Sequence, residues 1–264
     1  MFKWYRTTTV ACLLMASAVT SMAQTPPDFF VGRQHKPAFE RGDAVPADTR
    51  LGGYALPLMG QPWTLLTHKI IQAPSSEIGE PPLPIGQVEL LRLGDRQEPL
   101  MFLLASANLS TNNFVTHWNG DTCKADAPVL SINQAAGALD RCAVVFIHQV
   151  PISGKPAPFL VVSALVNGES GRWLQLTVAA NLESTGHPAI KASDWSAQAV
   201  AADPAKQQLM PRLHAWTADL LRRVQLAARH NQPADAFVGL EPLFQVVALP
   251  SGADRQSAVA RSQP

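Results

Sequence analysis

Two pairs of apolar runs, each pair separated by a short stretch rich in turn-forming residues, limit what this chain can fold into. The runs lie at 88–93 and 100–107, and again at 159–166 and 173–182. Segments of this length with branched and aromatic side chains, joined by Gly, Asp, Asn or Ser, are typical of β-hairpins. The pattern therefore predicts an antiparallel sheet that contains at least two hairpins.

Other short apolar runs fit further strands of the same sheet, at 63–71, 114–118, 129–132 and 143–150. The run at 159–166 is apolar at both its odd-numbered and its even-numbered positions, which point to opposite faces of a strand. We therefore expect other residues to cover both of its faces. In 173–182 the apolar side chains occupy alternate positions, which predicts one buried face and one solvated face.

One long helix is predicted near the C-terminus. Asp203 suits the N-cap and Pro204 suits the first helical position. Apolar residues then recur every three or four positions, at Leu209, Leu213, Trp216, Leu220, Val224 and Ala227. Pro211 removes one backbone hydrogen bond and predicts a kink or a split. The basic residues off this stripe predict a solvated helix face, formed by Arg222, Arg223 and Arg229.

Together these elements predict an α+β fold, mainly an antiparallel β-sheet with one long C-terminal helix packed on a face. The composition predicts a signal peptide at 1–23 and an extended N-terminal segment at 24–62, rich in Pro, Gly and charge. A single α+β domain is predicted at 63–249, in which 237–249 adds one more strand. The small polar residues of 250–264 predict a disordered tail.

The first 23 residues predict export from the cytoplasm. Lys3 and Arg6 form a positively charged region, an apolar run follows at 10–19, and small residues at Ser21 and Ala23 precede Gln24. This three-part pattern is typical of a secretory signal peptide cleaved before Gln24, and its apolar run is too short to span a membrane. We therefore expect a periplasmic or secreted protein.

Net charge argues against two classes of partner. The chain carries a formal net charge of +1, and the predicted signal peptide contributes two of the positive charges, so the exported part is close to neutral. Nucleic-acid binding requires a basic surface that replaces phosphate counterions. We therefore expect no nucleic-acid partner. No apolar run after the signal reaches the roughly 20 residues of a membrane helix, so we expect no stable membrane insertion.

Cys123 and Cys142, which follow the predicted signal, are expected to form a disulfide, because an even pair in an exported protein usually does. A loop of this size contributes about 3 kcal/mol of stability. With His117 and His148 the same cysteines could form a zinc site. The spacings match none of the usual zinc ligand pairs and oxidised cysteines cannot bind metal, so no metal site and no cofactor are predicted.

A possible binding lip lies beside the first cysteine, where His117, Trp118 and Asp121 surround a turn-forming Asn-Gly. The alternative is that Trp118 packs on the disulfide, which is the more usual place for a large aromatic side chain. We found no G-x-S-x-G nucleophile elbow, no S-x-x-K pair and no glycine-rich phosphate loop. No catalytic residue is therefore predicted.

The sequence favours an exported, soluble binding, accessory or inhibitor protein of the periplasm or cell envelope, acting on another envelope or secreted protein. Two alternatives remain open. One is an exported hydrolase with a site outside the common motifs, using His117, Asp121 or His148. The other is a small-molecule carrier with an apolar cavity between the sheet and the helix.

Overall fold

The computed structural model has an α+β fold dominated by one antiparallel sheet of eight strands. It describes residues 25–58, 62–73, 82–110, 125–126, 128–136, 139–152, 154–167, 172–187, 192–229 and 235–248. The predicted signal peptide, the strand predicted at 114–118 and the predicted tail at 250–264 lie outside these residues.

The sheet consists of two meanders that meet at its centre. The first is formed by β6 (Trp63–Ala73), β7 (Leu83–Leu93) and β8 (Pro99–Asn108). The second is formed by β9 (Leu130–Ala136), β10 (Leu139–Ile152), β11 (Lys155–Asn167) and β12 (Trp173–Asn181). β12 pairs with β8, and a short strand, β3 (Ala44–Val45), pairs with β6, so the strand order is β3-β6-β7-β8-β12-β11-β10-β9. Both predicted hairpins and the strands predicted at 63–71, 129–132 and 143–150 are confirmed.

The N-terminal part of the described chain adds five two-residue strands: β1 (Phe30–Val31), β2 (Lys36–Pro37), β3 (Ala44–Val45), β4 (Arg50–Leu51) and β5 (Tyr54–Ala55). Asp28 organises this segment. Its carboxylate accepts hydrogen bonds from the amides of Gly52 at 3.0 Å and Gly53 at 2.6 Å. Both glycines have positive φ angles, which other residues rarely adopt. Phe29, Leu51 and Tyr54 reach the main core from this segment, although its sequence shows no apolar period.

Three helices and one turn of 3₁₀ helix, Ala192–Trp195, follow the sheet. α1 covers Ala197–Ala201, α2 covers Pro204–Ala227, and α3 covers Leu243–Val247. The Asp203 carboxylate caps α2 by accepting from the Ala205 and Lys206 amides. α2 packs against β10, β11 and β12 through the predicted apolar stripe, every member of which is buried. The expected split at Pro211 does not occur, because the helix continues through that residue.

The strand predicted at 237–249 is wrong, because this region forms a turn followed by α3. Its apolar residues are spaced by three or four positions, as in Leu243, Val246 and Val247, which is a helical period. We call residues 235–248 the C-terminal segment. Phe237, Leu240 and Leu243 pack into the main core from this segment.

The two faces of the sheet are covered differently. The inner face, which bears residues such as Leu90, Leu103 and Leu176, packs against α2, α3 and the N-terminal segment in one large core. The outer face carries smaller apolar clusters, in one of which the Phe102 and Phe159 rings lie 5.2 Å apart. β11 is buried on both faces, as predicted.

The face of β12 that was expected to be exposed to solvent is instead buried or half-buried. Gln175 and Thr177 are half-buried, while Trp173, Ala179 and Asn181 are buried. β12 lies in the middle of the sheet between β8 and β11, so larger side chains on neighbouring strands cover its small ones. Alternation along one strand cannot reveal this protection.

Candidate functional site

A small cavity lies between the inner face of the sheet and the C-terminal segment. The residues that line it are Pro57, Trp63, Arg92, Met101, Leu103, Val178, Trp216, Leu240, Pro242 and Leu243. All of them are apolar or aromatic except Arg92. The cavity is small and has room for about one water molecule.

Arg92 is the unusual residue of this cavity. It lies on β7 with its side chain on the inner face, and it is only 4% exposed. Its guanidinium carbon lies 4.8 Å from the centre of the Phe244 ring. Its buried Nε–H has no acceptor, and the side chain makes no hydrogen bond or ion pair among the described residues. Burial lowers the pKa of Arg92, but a guanidinium stays protonated in proteins.

The energetic consequence is large. An ion transferred out of water without a partner costs several kcal/mol, and a cation–π contact returns about 0.5–2 kcal/mol. The Arg92 Nε–H, which is buried without an acceptor among the described residues, costs about 1–3 kcal/mol at a position where the neighbouring inward residues, Val88 and Leu90, are apolar. Stability alone does not account for an arginine at this position.

Trp63 provides a second unpaired donor at the same cavity. It lies at the start of β6, is 2% exposed, and its indole Nε1–H has no acceptor. Trp216, on the opposite wall, differs because its Nε1–H donates to the backbone oxygen of Glu241 at 2.7 Å. The cavity thus combines two buried donors and one positive charge with apolar walls.

The C-terminal segment forms one wall and is held to the rest of the protein by side chains that bind its backbone. Arg223 donates from Nη1 to the Ala236 oxygen at 3.1 Å and to the Val238 oxygen at 2.6 Å. His187 donates from Nε2 to the Val247 oxygen at 2.7 Å, at the end of α3. With the bond from Trp216, these contacts fasten the wall at three places.

The position of Arg223 off the apolar stripe predicted that it would belong to a solvated basic face. That prediction is wrong for Arg223. Its side chain is 14% exposed and also forms an ion pair with Asp219 at 2.7 Å. Arg222 next to it is 57% exposed and pairs with the same carboxylate. Burial raises the pKa of Asp219, but the hydrogen bonds and charges of Arg223 and Arg222 outweigh this and lower it overall.

A second buried polar region lies where β8 ends and β12 begins, and its groups are bonded to one another. The Asn108 Oδ1 atom accepts from the Tyr54 hydroxyl at 2.5 Å and from the Trp173 amide at 2.9 Å. Arg172 stacks 4.5 Å from the Tyr54 ring and donates to the Ala228 oxygen at 3.1 Å. Burial raises the pKa of Tyr54, against smaller lowering effects of Arg172 and the Trp173 amide. These contacts join four separate segments.

The site predicted from sequence stays a prediction, because most of its residues are not described by the structure. His117, Trp118, Asp121 and Cys123 lie outside the described residues. His148 is exposed on the outer face of β10, away from the cavity. Among the described residues no group of three or more His, Cys, Asp or Glu side chains could hold a metal ion.

Cys142 lies on β10, is 8% exposed, and takes part in a disulfide. Since Cys123 is outside the described residues, the pairing of these two cysteines stays a prediction.

Arg92 and Trp63 were not predicted from the sequence, although one signal for Arg92 was present in it. Val88, Leu90 and Arg92 share one parity of β7, so an arginine interrupts a series of inward apolar positions. Trp63 offered no comparable signal, because an aromatic residue at the start of a strand is ordinary.

The chain matches no protein-family model, and neither a curated protein nor a solved structure is significantly similar to it. No helix within the described part of the chain is long and apolar enough to cross a membrane. Among the described residues, the lining of the cavity includes no Ser, Thr, Cys, His, Asp or Glu.

Proposed function

We propose that this is an exported binding protein that holds a small molecule in the cavity between the sheet and the C-terminal segment. The observation that carries the proposal is Arg92, a buried arginine among otherwise apolar lining residues, whose Nε–H has no acceptor among the described residues. Ligand sites in proteins combine apolar walls with a few polar groups that fix orientation. A group that costs stability and lies in such a site is best explained by a ligand.

Export is supported by the signal-peptide pattern of the first 23 residues and by the disulfide at Cys142, since disulfides persist in oxidising compartments. The near-neutral charge of the chain supports a role without nucleic acid. Within the class of exported binding, accessory or inhibitor proteins, the cavity favours a small molecule over a protein partner.

Native mass spectrometry of protein recovered from the extracytoplasmic fraction tests both parts of the proposal. We expect a chain that begins at Gln24, and a second mass corresponding to a bound small molecule that is lost in Arg92→Met but retained in Arg222→Ala. A chain that retains Met1 in the cytoplasm contradicts export. A ligand that binds Arg92→Met and the original protein equally contradicts the assignment of the cavity.

A further inference from the structure

We propose that the open edge of the sheet at β6 is a self-association surface, through which two copies of this chain pair as antiparallel strands. The strand order places β7 on one side of β6, while β3 pairs on the other side only with Trp63 and Thr64. From Thr67 to Ala73, no strand in the described part of the chain pairs with that second side. This inference is independent of the small molecule proposed above.

The backbone of this edge directs three residues outward. Gln72 lies opposite Pro84 of β7, and the Pro84 oxygen accepts from the Leu109 amide at 2.8 Å, on the β8 side. Gln72 and Pro84 are therefore not a hydrogen-bonded pair, and the N–H and C=O of Gln72 point away from β7. Alternation along the strand gives the same direction to Ile70 and His68. Among the described residues, no other element bonds to these three backbone positions.

These outward groups are complementary to their own copy. With Ile70 opposite Ile70 of the second copy, His68 lies opposite Gln72 on each side of a two-fold axis. This register makes three pairs, each of which exchanges two hydrogen bonds, so every outward N–H and C=O of the open edge has a partner. A register displaced by two residues leaves one of the three opposite a residue outside Thr67–Ala73.

The side chains on the outer face suit the same register. Thr67, Lys69 and Ile71 point to that face and are exposed, and Ile71, at 41%, is one of three large apolar side chains exposed among the described residues. The register places Lys69 opposite Ile71 of the second copy, so like charges do not face each other and the alkyl stem of the lysine covers the isoleucine. At the other edge of the sheet, β9 exposes Ser131 and Asn133 instead.

The edge is ordered before association, but it is short. β7 pairs with β6 along its length, and the Phe30 ring packs 6.1 Å from the His68 ring. A strand that is already fixed loses little conformational entropy on binding. One strand edge buries less than the roughly 1,200 Å² of a stable interface, so we expect a reversible dimer with a Kd on the order of 10–100 µM.

The first test is sedimentation velocity of the full exported chain between about 1 and 500 µM, which should show a monomer–dimer equilibrium. Amide hydrogen exchange locates the contact. The amides of His68, Ile70 and Gln72 should become protected as concentration rises, while those of Lys69 and Ile71, which face β7, are protected throughout. A chain that stays monomeric over this range overturns the proposal, as does a dimer in which the three outward amides do not change.

Two substitutions of Gln72 form a matched pair. Its side chain is exposed and its N–H points outward, a position at which an edge strand tolerates proline. Gln72→Pro deletes one donor in each copy and should weaken association at least about tenfold. Gln72→Ala keeps the N–H and should associate within about twofold of the original protein. Equal association of the two variants overturns the assignment to this edge.

Two substitutions of Ile71 test the register, and both replace an exposed side chain. Ile71→Glu places a carboxylate opposite Lys69 of the second copy, whereas Ile71→Lys places a like charge there. The first should associate at least about threefold more tightly than the second at low salt, and the difference should shrink at high salt. Equal association of the two overturns the register. Growth into species larger than a dimer would indicate pairing of β6 with β9 of the next copy and would overturn the two-fold assignment.

Discussion

Two buried polar regions of this fold differ in whether their N–H and O–H groups find acceptors. Around Asn108, the Tyr54 hydroxyl and the Trp173 amide both donate to its Oδ1 atom within 3 Å, and Arg172 donates to a backbone carbonyl. Around Arg92 and Trp63, two buried donors reach no acceptor. Each region contains an arginine stacked on an aromatic ring, at 4.5 Å and 4.8 Å, so stacking does not distinguish them.

The difference indicates what each region is for. A buried donor that is bonded costs little or contributes about 1 kcal/mol, while one without an acceptor costs about 1–3 kcal/mol. The Tyr54 region therefore serves the fold by joining distant segments. The Arg92 region contributes less to stability, which agrees with the binding role that we propose for it.

The largest effect should come from the apolar part of the cavity. Trp216→Ala removes a side chain that is 7% exposed and the bond to Glu241, so we expect a loss of about 3–5 kcal/mol in the free energy of unfolding. Urea unfolding at constant pH measures it. A loss below about 1 kcal/mol would mean that α2 does not pack through this residue.

The next effect should come from the bonded region. Asn108→Ala leaves the Tyr54 hydroxyl and the Trp173 amide without their shared acceptor, and we expect a loss of about 2–4 kcal/mol. Tyr54→Phe is the matched control. It removes the hydroxyl, which donates to Asn108 and accepts from the Trp173 amide at 3.3 Å, but leaves the shorter bond of that amide to Asn108, so a loss of about 1 kcal/mol is expected. Equal effects of the two variants would contradict the central role of Asn108.

Adjacent arginines on α2 test how the cavity wall is fastened. Arg223→Ala removes the bonds to Ala236 and Val238 and should cost about 1.5–3 kcal/mol, as for hydrogen bonds from a charged group. Arg222→Ala should change stability by less than about 0.5 kcal/mol, since its side chain is mostly exposed. Hydrogen exchange should accelerate across 235–248 in the first variant alone. If Arg222→Ala cost more stability than Arg223→Ala, the face of α2 that carries Arg222 would have to pack against the core.

Arg92→Met should act in the opposite direction. Replacing an unpaired buried cation by an apolar side chain should raise the free energy of unfolding by about 1–2 kcal/mol. Chemical denaturation without added ligand measures this gain. A loss of stability would show that Arg92 has a structural partner, and the contrast with the Tyr54 region would fail.

A smaller effect should be a dependence of the free energy of unfolding on pH, caused by His187. Burial is the main cause that lowers the pKa of His187 below its ordinary value of 6.5, ahead of the raising effect of the Val247 bond. In the interval below 6.5 the unfolded chain binds more protons than the folded one, so stability decreases as pH falls through it. We expect His187→Gln to remove this dependence between pH 7 and pH 5. The carboxylates with lowered pKa, Asp203 and Asp219, act only below about pH 4.

The sequence alone predicted most of the fold because the signals were local. The two hairpins, the cap at Asp203 and the apolar stripe of α2 follow from patterns within a few residues, and the structure confirms them. The strand predicted at 237–249 failed because apolar content was taken as β structure where the spacing was helical. The N-terminal segment was harder to predict, since Asp28 binds residues 24 and 25 positions away.

The candidate site was decided by tertiary structure. Trp63, Arg92, Trp216 and Leu243 come from distant parts of the chain, and no local pattern brings them together. The interruption of the β7 alternation by Arg92 was visible in the sequence, but whether an inward arginine finds a partner depends on every element packed around it. Local periodicity determines which side of an element is buried, whereas the bonding state of a buried donor is fixed only when the whole core is assembled.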